Sequence, residues 1–570
     1  MAAPELPRRR PRRLDARLVT VGVVLVLAWV GIGYRLVMVQ ALDSEEFAAR
    51  GLDQRLHRET LAADRGTIFD RDGRELAVTV ESVSIYANPS DIEDPGAVAR
   101  LLAPLVDESP GVLMQRLGTD ETFVYVARQM DPDDAELAMA ANLPGIYSHT
   151  EPARVYPVGE LTSHVIGFVS EGEGTGLEGL ELHYEDQLRG TPGELQVERD
   201  PQGRTIPQGT YQVVPAEPGS DLVLTIKTEI QFAAARALRA AIERTGADSG
   251  SVVVLDATNG EILAMVNLPG FDPHEPDEAP EGALRNRSVT DIFEPGSTQK
   301  AITVAGVLES GLVQPTTVLE LPQLIEIQDT TFLDLTIHPD RLTVTEIVSY
   351  SSNIGTILLG DMLGTEALHG YMAAFGQGRP TGIDFPGEAS GVLRAPQDWC
   401  VTTCLAGTSI GYHVAVTPLQ MAAVFATIAN DGTWVQPHLV REIVDGRGVR
   451  SPVTTRSRTV MSPDTAASLR LMLEAVVDSG TGSLAAVPGY RVGGKTGTTE
   501  KYDEAAGDYT EDDVVASFIG IAPIESPRIV VAVVLDSPIE DASGGRGAAP
   551  VFADVALAAL HQLGVPPDAE

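Results

Sequence analysis

Three short stretches of this chain carry side chains able to make and break an acyl bond. In Ser297-Thr298-Gln299-Lys300 a hydroxyl and an amine stand three residues apart. The turn Phe293-Glu294-Pro295-Gly296 precedes them, and apolar Ala301, Val304, Ala305 and Leu308 follow. That spacing predicts Ser297 at the start of a helix, with Lys300 one turn on along the same face. A serine hydroxyl is a poor nucleophile until a neighbouring base takes its proton. Lysine serves as that base when burial and a nearby positive charge lower its pKa. The helix N-terminus adds partial positive charge that favours an oxyanion. The bland alternative is a serine N-cap. A capping box, however, would place Glu or Gln at position 300, where this chain has lysine.

The second stretch is Ser351-Ser352-Asn353, after apolar Ile347-Val348. Ser351 could pass a proton, and the Asn353 amide could hold both a substrate amide and the base. Taken alone, this reads better as a turn or helix cap. The third is Lys495-Thr496-Gly497-Thr498, after Val492-Gly493-Gly494, and it reads as an extended edge segment. A strand edge offers unpaired N–H and C=O groups to a peptide lying alongside. Lys495 would supply charge, and Thr496 a hydroxyl, for a substrate carboxylate, and Gly497 leaves room for close approach. The competing reading is a glycine-rich hairpin.

Composition sharpens the pattern. Of 41 basic residues only Lys227, Lys300, Lys495 and Lys501 are lysine, and two of these four fall inside the motifs. Lysine can lose its proton when desolvated, whereas arginine effectively cannot. With 80 acidic residues the net charge is -39, which repels phosphate and argues against a nucleic-acid partner. Cys400 and Cys404 make neither a disulfide framework nor a zinc site. Outside the cytoplasm they could close a small local disulfide; two free or buried thiols are the alternative.

The elements that must position these residues follow from periodicity. Residues 1–17 form a basic tail with six arginines, Arg8 to Arg17, and an apolar run from Leu18 to Val39 follows, interrupted by Arg35. At about 1.5 Å per residue it spans a hydrocarbon core of about 30 Å. The arginines predict a cytoplasmic N-terminus, with the rest of the chain outside. A cleaved signal peptide is the alternative, but no small-x-small cleavage site follows and the run is long. Ala41 to Glu59 reads as helix. Arg65 to Gly73 reads as a strand closed by an Asp-Gly turn, and turn-rich stretches follow at Arg154–Gly159 and Gly172–Gly179. Pro215 to Gly219 reads as a boundary. Beyond it come a strand at Leu222–Ile226, a helix at Thr228–Arg244, strands at Ser251–Asp256 and Glu261–Asn267, a strand pair at Val514–Ile521 and Ile529–Leu535, and a last helix at Val551–Leu563. Strands at both ends of this region, with helices between, predict one antiparallel sheet packed by helices.

S-x-x-K, a Ser/Asn motif and K-T-G, in that order, are the set shared by penicillin-binding proteins and class A β-lactamases. The chain resembles the class B penicillin-binding proteins, the monofunctional cell-wall transpeptidases. The likeness includes Arg65-Gly66 to Asp72-Gly73, Arg154-Val155-Tyr156-Pro157, His164-Val165-Ile166-Gly167, Gly176-Leu177-Glu178-Gly179, Thr381-Gly382-Ile383-Asp384 and Thr417-Pro418-Leu419-Gln420. Its N-terminal motifs separate it from the β-lactamases. The resemblance implies an α+β fold: a transmembrane helix at 18–39, an elongated mixed pedestal or dimerisation-type module at 40–219, and a serine β-lactamase-like transpeptidase domain at 220–566. It implies that Ser297 attacks the penultimate D-Ala of a stem peptide, with Lys300 as base. Ser351 and Lys495 would relay a proton to the leaving amine, and the N–H groups of Ser297 and Thr498 would form the oxyanion hole. Catalytic residues would thus be Ser297, Lys300, Ser351, Asn353 and Lys495; Ser352, Thr496, Gly497 and Thr498 would bind substrate. β-Lactams would acylate Ser297, and no metal or organic cofactor is implied. Within the class the chain looks FtsI-like, which implies septal synthesis with an FtsW-type membrane glycosyltransferase and other divisome proteins as partners. An elongation-specific enzyme of the same class is the main competitor, and a D,D-carboxypeptidase or β-lactamase-type hydrolase the next. Three positions depart from the family pattern: His413 stands for glycine, Gln377 for an apolar residue and Lys227 for Asp.

Overall fold

The computed structural model describes residues 16–42, 45, 49, 55–200, 204–328, 330–400, 403–503 and 508–569. These fall into two compact units, one of Met1–Ala63 with Thr191–Glu217, the other of Asp64–Gly190 with Pro218–Glu570. In the first, Ala16–Val37 is one helix whose apolar side chains, from Leu18 to Val37, are exposed. It fits a single-pass membrane anchor: mean hydropathy over an 18-residue window within Ala16–Ala41 reaches 2.1. A separate three-stranded antiparallel sheet orders Leu56–Leu61, Gly193–Glu198 and Tyr211–Val214. The helix expected over Ala41–Glu59 is therefore wrong at its end. Much of that range lies outside the described residues, but Leu56 onward is strand, drawn into the sheet by a partner some 140 residues later in the chain. Such long-range pairing overrides local propensity.

The second unit holds two large sheets. One is antiparallel throughout, in the order Ile262–Leu268, Ser249–Asp256, Ile529–Asp536, Asp508–Ala522, Gly493–Asp503. Its strands Ser249–Asp256, Ile262–Leu268 and Ile529–Asp536 are apolar along nearly their whole length because both faces are buried. Val252, Val254, Ala516, Phe518, Val531 and Val533 pack under helices Thr228–Thr245 and Ala549–Gln562. Their neighbours in the strand, Val253, Leu255, Ile519, Ile521, Val530 and Ala532, face helices Pro418–Ala429 and Pro463–Asp478. Each large side chain so buried contributes about 1.5–3 kcal/mol. The expected sheet between helix layers is the one observed.

The other sheet has seven strands and runs across the expected module boundary. Asp221–Leu224 pairs in parallel with Ile68–Phe69, which pairs with Glu75–Ala87, which in turn pairs with both Val124–Met130 and Ile146–Val155. The Asp70-to-Gly73 turn is tied down: buried Asp70 accepts from the N–H groups of Asp72 and Arg74 and from Thr228 Oγ1. Near it Glu181, fully buried, accepts from Arg65 Nε at 2.6 Å and Arg154 Nε at 2.7 Å. The Arg65-Gly66 and Arg154-Val155-Tyr156-Pro157 motifs thus meet on one carboxylate. Thr417 and Gln420 form a reciprocal capping box that starts the helix Pro418–Ala429. Asp384 accepts from the N–H groups of Leu439 and Val440 and from the Tyr184 hydroxyl.

Candidate active site

Ser297 lies inside a 3₁₀ turn, Gly296–Gln299, that runs directly into the helix Lys300–Glu309. Its side chain caps neither element, so the N-cap reading of this serine fails. Gly296 is required by geometry. Its φ is +51°, and a Cβ there would lie 2.2 Å from Thr499 Oγ1. Gly411, at φ +98°, would put a Cβ 2.1 Å from the Gly296 carbonyl oxygen. Thr298 Oγ1 donates to the Pro295 carbonyl at 2.7 Å and closes the turn.

The Lys495–Thr498 segment lies in the strand Gly493–Asp503 at one edge of the five-stranded sheet, as its sequence suggests. A Cβ on Gly497 would meet Ser517 Oγ at 2.4 Å and the Pro295 carbonyl oxygen at 3.0 Å, so the serine turn and the edge strand pack against each other there. Gly544 N–H donates to Thr498 Oγ1 at 3.1 Å.

Ser351 ends the helix Val344–Tyr350 with φ +60° and ψ 39°, a left-handed conformation uncommon outside glycine. Such a residue costs about 1–3 kcal/mol and concentrates at functional sites. Here it directs the hydroxyl between two amines. Lys495 Nζ donates to Ser351 Oγ at 2.8 Å, and Lys300 Nζ approaches the same oxygen at 3.3 Å. Lys300 Nζ also donates to the Ser351 carbonyl at 2.6 Å and to Asn353 Oδ1 at 2.7 Å.

Lys300 and Lys495 are both fully buried. Burial pulls Lys300 down to about 7, against a partial lift from Asp334. Lys495 is lowered well below its ordinary value, first by burial and then by the Lys300 charge. Two ammonium ions sharing one hydroxyl repel, so charging both amines at once is disfavoured.

Ser297, Ser351, Asn353, Thr496 and Thr498 all line one cleft of about 280 Å³. Lys300 and Lys495 do not line it themselves; both amines reach it through Ser351, to whose hydroxyl they donate. Among the described residues the Ser297 hydroxyl has no hydrogen-bond partner, and none of the three bonds made by the Lys300 amine reaches it. The amine that was expected beside the hydroxyl is held instead by the Ser351–Asn353 turn. Ser352 also departs from expectation. It is buried, caps the helix Asn353–Leu363 by accepting from Gly355 N–H at 2.8 Å, and does not line the cleft. For this serine the cap reading holds.

Several cleft residues have no signal in the three motifs. Thr481 Oγ1 sits 2.9 Å from Thr496 Oγ1. Arg546, mostly exposed and 2.9 Å from Asp541, lines the cleft with Gly545 and Ser543. The Gly544-Gly545 doublet was the available clue, because Gly544 lies where a Cβ would meet the Ser517 and Gly497 backbones at 2.1 and 2.4 Å. The three departures from the family pattern also find partners. His413 takes φ +63°, a conformation natural to the glycine it replaces. Gln377 forms a buried reciprocal amide pair with Gln299, at 2.7 and 3.3 Å. Lys227 pairs with Asp72 at 2.6 Å. Cys400 and Cys404 are joined in a disulfide.

Comparison with known proteins gives the arrangement its relatives. Residues 250–557 match the penicillin binding protein transpeptidase domain, and residues 60–224 the penicillin-binding protein dimerisation domain. The chain is 33% identical to the penicillin-binding protein PbpB of Mycolicibacterium smegmatis, over 95% of this chain and 89% of that one. It is 33% identical to the peptidoglycan D,D-transpeptidase FtsI of Escherichia coli, over 94% of this chain and 90% of the other. Its fold matches a crystal structure of penicillin binding protein 3 from Mycobacterium tuberculosis complexed with aztreonam, with TM-score 0.71 and 30% identity, covering 89% of this chain and 98% of that one.

Proposed function

The chain belongs to the penicillin-binding protein transpeptidase family, and from that premise we propose how it works as a peptidoglycan D,D-transpeptidase. Ser297 Oγ attacks the carbonyl carbon of the penultimate D-Ala, and its proton passes to the neutral Lys300 amine. The oxyanion forms against the backbone N–H groups of Ser297 and Thr498. As the C–N bond breaks, Ser351 Oγ hands a proton to the departing D-Ala amine and is resupplied by the Lys300–Lys495 pair. An amine of a second stem peptide then attacks the ester and loses a proton to the same pair; the C–O bond to Ser297 breaks as the pair returns that proton to Ser297 Oγ. Asn353 holds the base in place, while Thr496 and Thr498 face the terminal carboxylate. An arriving carboxylate favours the charged form of Lys495, which burial otherwise disfavours. The bond from Lys300 to Ser297 is one the reaction has to form, since catalytic hydrogen bonds often tighten only in the substrate complex.

The observation that carries this reading is the shared hydrogen bonding of two buried lysines to Ser351 Oγ, in the wall of a cleft that Ser297 also lines. β-Lactams follow as acylating inhibitors. The two family matches support a pedestal module over 40–219 and a catalytic domain over 220–566. We place the N-terminus in the cytoplasm and the catalytic domain outside it, because six arginines precede the apolar helix. Likeness to FtsI supports a septal role, with an FtsW-type glycosyltransferase and other divisome proteins as partners. Product analysis on stem peptides ending in D-Ala-D-Ala tests the chemistry. Cross-linked dimer is the expected product; only monomer shortened by one D-Ala would make the enzyme a hydrolase. A fluorescently labelled copy should gather at midcell, and lateral placement would assign it to elongation.

A further inference from the structure

Asp334 lies outside every motif. It sits 18 residues before Ser352 in sequence, on the loop after the short strand Thr330–Phe332. Its side chain is only 8% exposed, yet it points at the catalytic turn. Asp334 Oδ2 accepts from Ser352 Oγ at 2.8 Å, while Oδ1 accepts from Asn353 N–H and from Ile354 N–H at 3.1 Å. These are the first two orphan N–H groups of the helix Asn353–Leu363, and Ser352 itself takes the third, from Gly355. Next to it the Leu333 carbonyl accepts from Asn353 Nδ2 at 2.9 Å, so Asn353 is fixed from both its backbone and its amide.

Asp334 is itself oriented. His338 Nε2 donates to Asp334 Oδ2 at 2.7 Å and His338 Nδ1 to the Pro339 carbonyl at 2.8 Å. With both ring nitrogens facing acceptors, the charged form of His338 is favoured and its pKa is raised: burial opposes the charge, and the Pro339 carbonyl, Asp334 and Asp340 together outweigh it. Between Asp334 and His338 the loop projects Leu335 and Ile337, 94% and 99% exposed. Leu335 and Thr336 line the same cleft as Ser297.

We propose that Asp334, oriented by His338, is the positioning residue of the active site: it fixes the Ser351–Asn353 turn, and through Asn353 the Lys300 amine. The inference rests on the reading of Ser297 and Lys300 as nucleophile and base. It predicts two separable effects of losing the carboxylate. Freeing the turn lets the Ser351 hydroxyl and Asn353 amide drift, and a misplacement of about 1 Å costs up to about 10²-fold in rate. Losing the negative charge also lowers the Lys300 pKa further, because Asp334 is the group that raises it. The sign is fixed: the base works when neutral, so the acidic limb of the rate profile moves to lower pH.

The test is the second-order rate of acylation by a fluorescent penicillin, followed across pH in the full-length wild type, Asp334→Asn and His338→Ala, with thermal unfolding as a control for folding. For Asp334→Asn we expect a plateau rate lower by about 10–100-fold and an acidic limb displaced to lower pH. His338→Ala should lower the plateau less, and the double variant should lose less than the product of the two single losses, as for coupled residues. A folded Asp334→Asn with the wild-type plateau and limb overturns the proposal. Should that variant not fold, a His338→Ala protein acylating like wild type overturns it instead. A wild type that takes no label, or takes it equally as Ser297→Ala, refutes the catalytic reading itself, an outcome distinct from either.

Discussion

Lowering pH across neutrality should switch off acylation through Lys300, by an amount the structure sets. Burial brings that amine down to about 7, and only the neutral amine can accept the Ser297 proton. A single titration centred there leaves about half of the enzyme competent at pH 7, about 90% at pH 8 and about 1% at pH 5. Acylation should therefore slow about 50-fold between pH 7 and pH 5, and about 90-fold between pH 8 and pH 5. The measurement is the second-order rate constant for a fluorescent penicillin at low ligand concentration, which reports the free enzyme. Lys300→Arg completes the test. Arginine keeps the positive charge but cannot give up its proton, so its rate should fall by about 10²–10⁴ at every pH. A profile flat from pH 5 to pH 8, or a Lys300→Arg enzyme as fast as wild type, would refute the assignment of Lys300 as base.

Other perturbations have equally definite outcomes. Glu181→Gln leaves Arg65 and Arg154 without their shared buried counter-charge and should destabilise the protein by about 3–5 kcal/mol, read from thermal or denaturant unfolding. A wild-type melting temperature would show that the pair of arginines is satisfied elsewhere. Gln377→Leu strands the Gln299 amide behind the serine turn and should cost about 1–3 kcal/mol, whereas the double change Gln299→Met/Gln377→Leu should recover much of that loss. Additive losses would contradict the pairing. Gly411→Ala drives a methyl into the Gly296 carbonyl and should lower both stability, by about 2–4 kcal/mol, and the acylation rate. Unchanged acylation in that variant would mean the serine turn does not depend on Gly411.

Each of the three motifs has a competing local reading on its own, and they are legible because they occur together, in order, with two of the four lysines inside them. The scarcity of lysine made Lys300 and Lys495 stand out before any fold was known. Sheet strands such as Ser249–Asp256 and Ile529–Asp536 were legible as long apolar runs bounded by turns. What escaped notice depends on distant parts of the chain meeting. Asp334 lies in a loop without periodicity, and its importance exists only once the loop folds back on the helix Asn353–Leu363. The strand Leu56–Leu61 is specified by its partner at Gly193–Glu198, not by its own polar sequence. Ser352 caps the helix Asn353–Leu363, and a cap and a substrate contact call on the same side chain, so spacing alone does not single out the cap. The direction of the Lys300 amine, toward Ser351 and Asn353 rather than Ser297, is set by acceptors some 50 residues away that helical spacing could not reveal.

Mass spectrometry of the proteolysed protein after brief reaction with a penicillin tests the central claim most directly. The account predicts one covalent adduct, on the peptide that contains Ser297, formed at full occupancy by the wild type and missing from Ser297→Ala. An adduct on any other residue, or none at all from a folded protein, would contradict it.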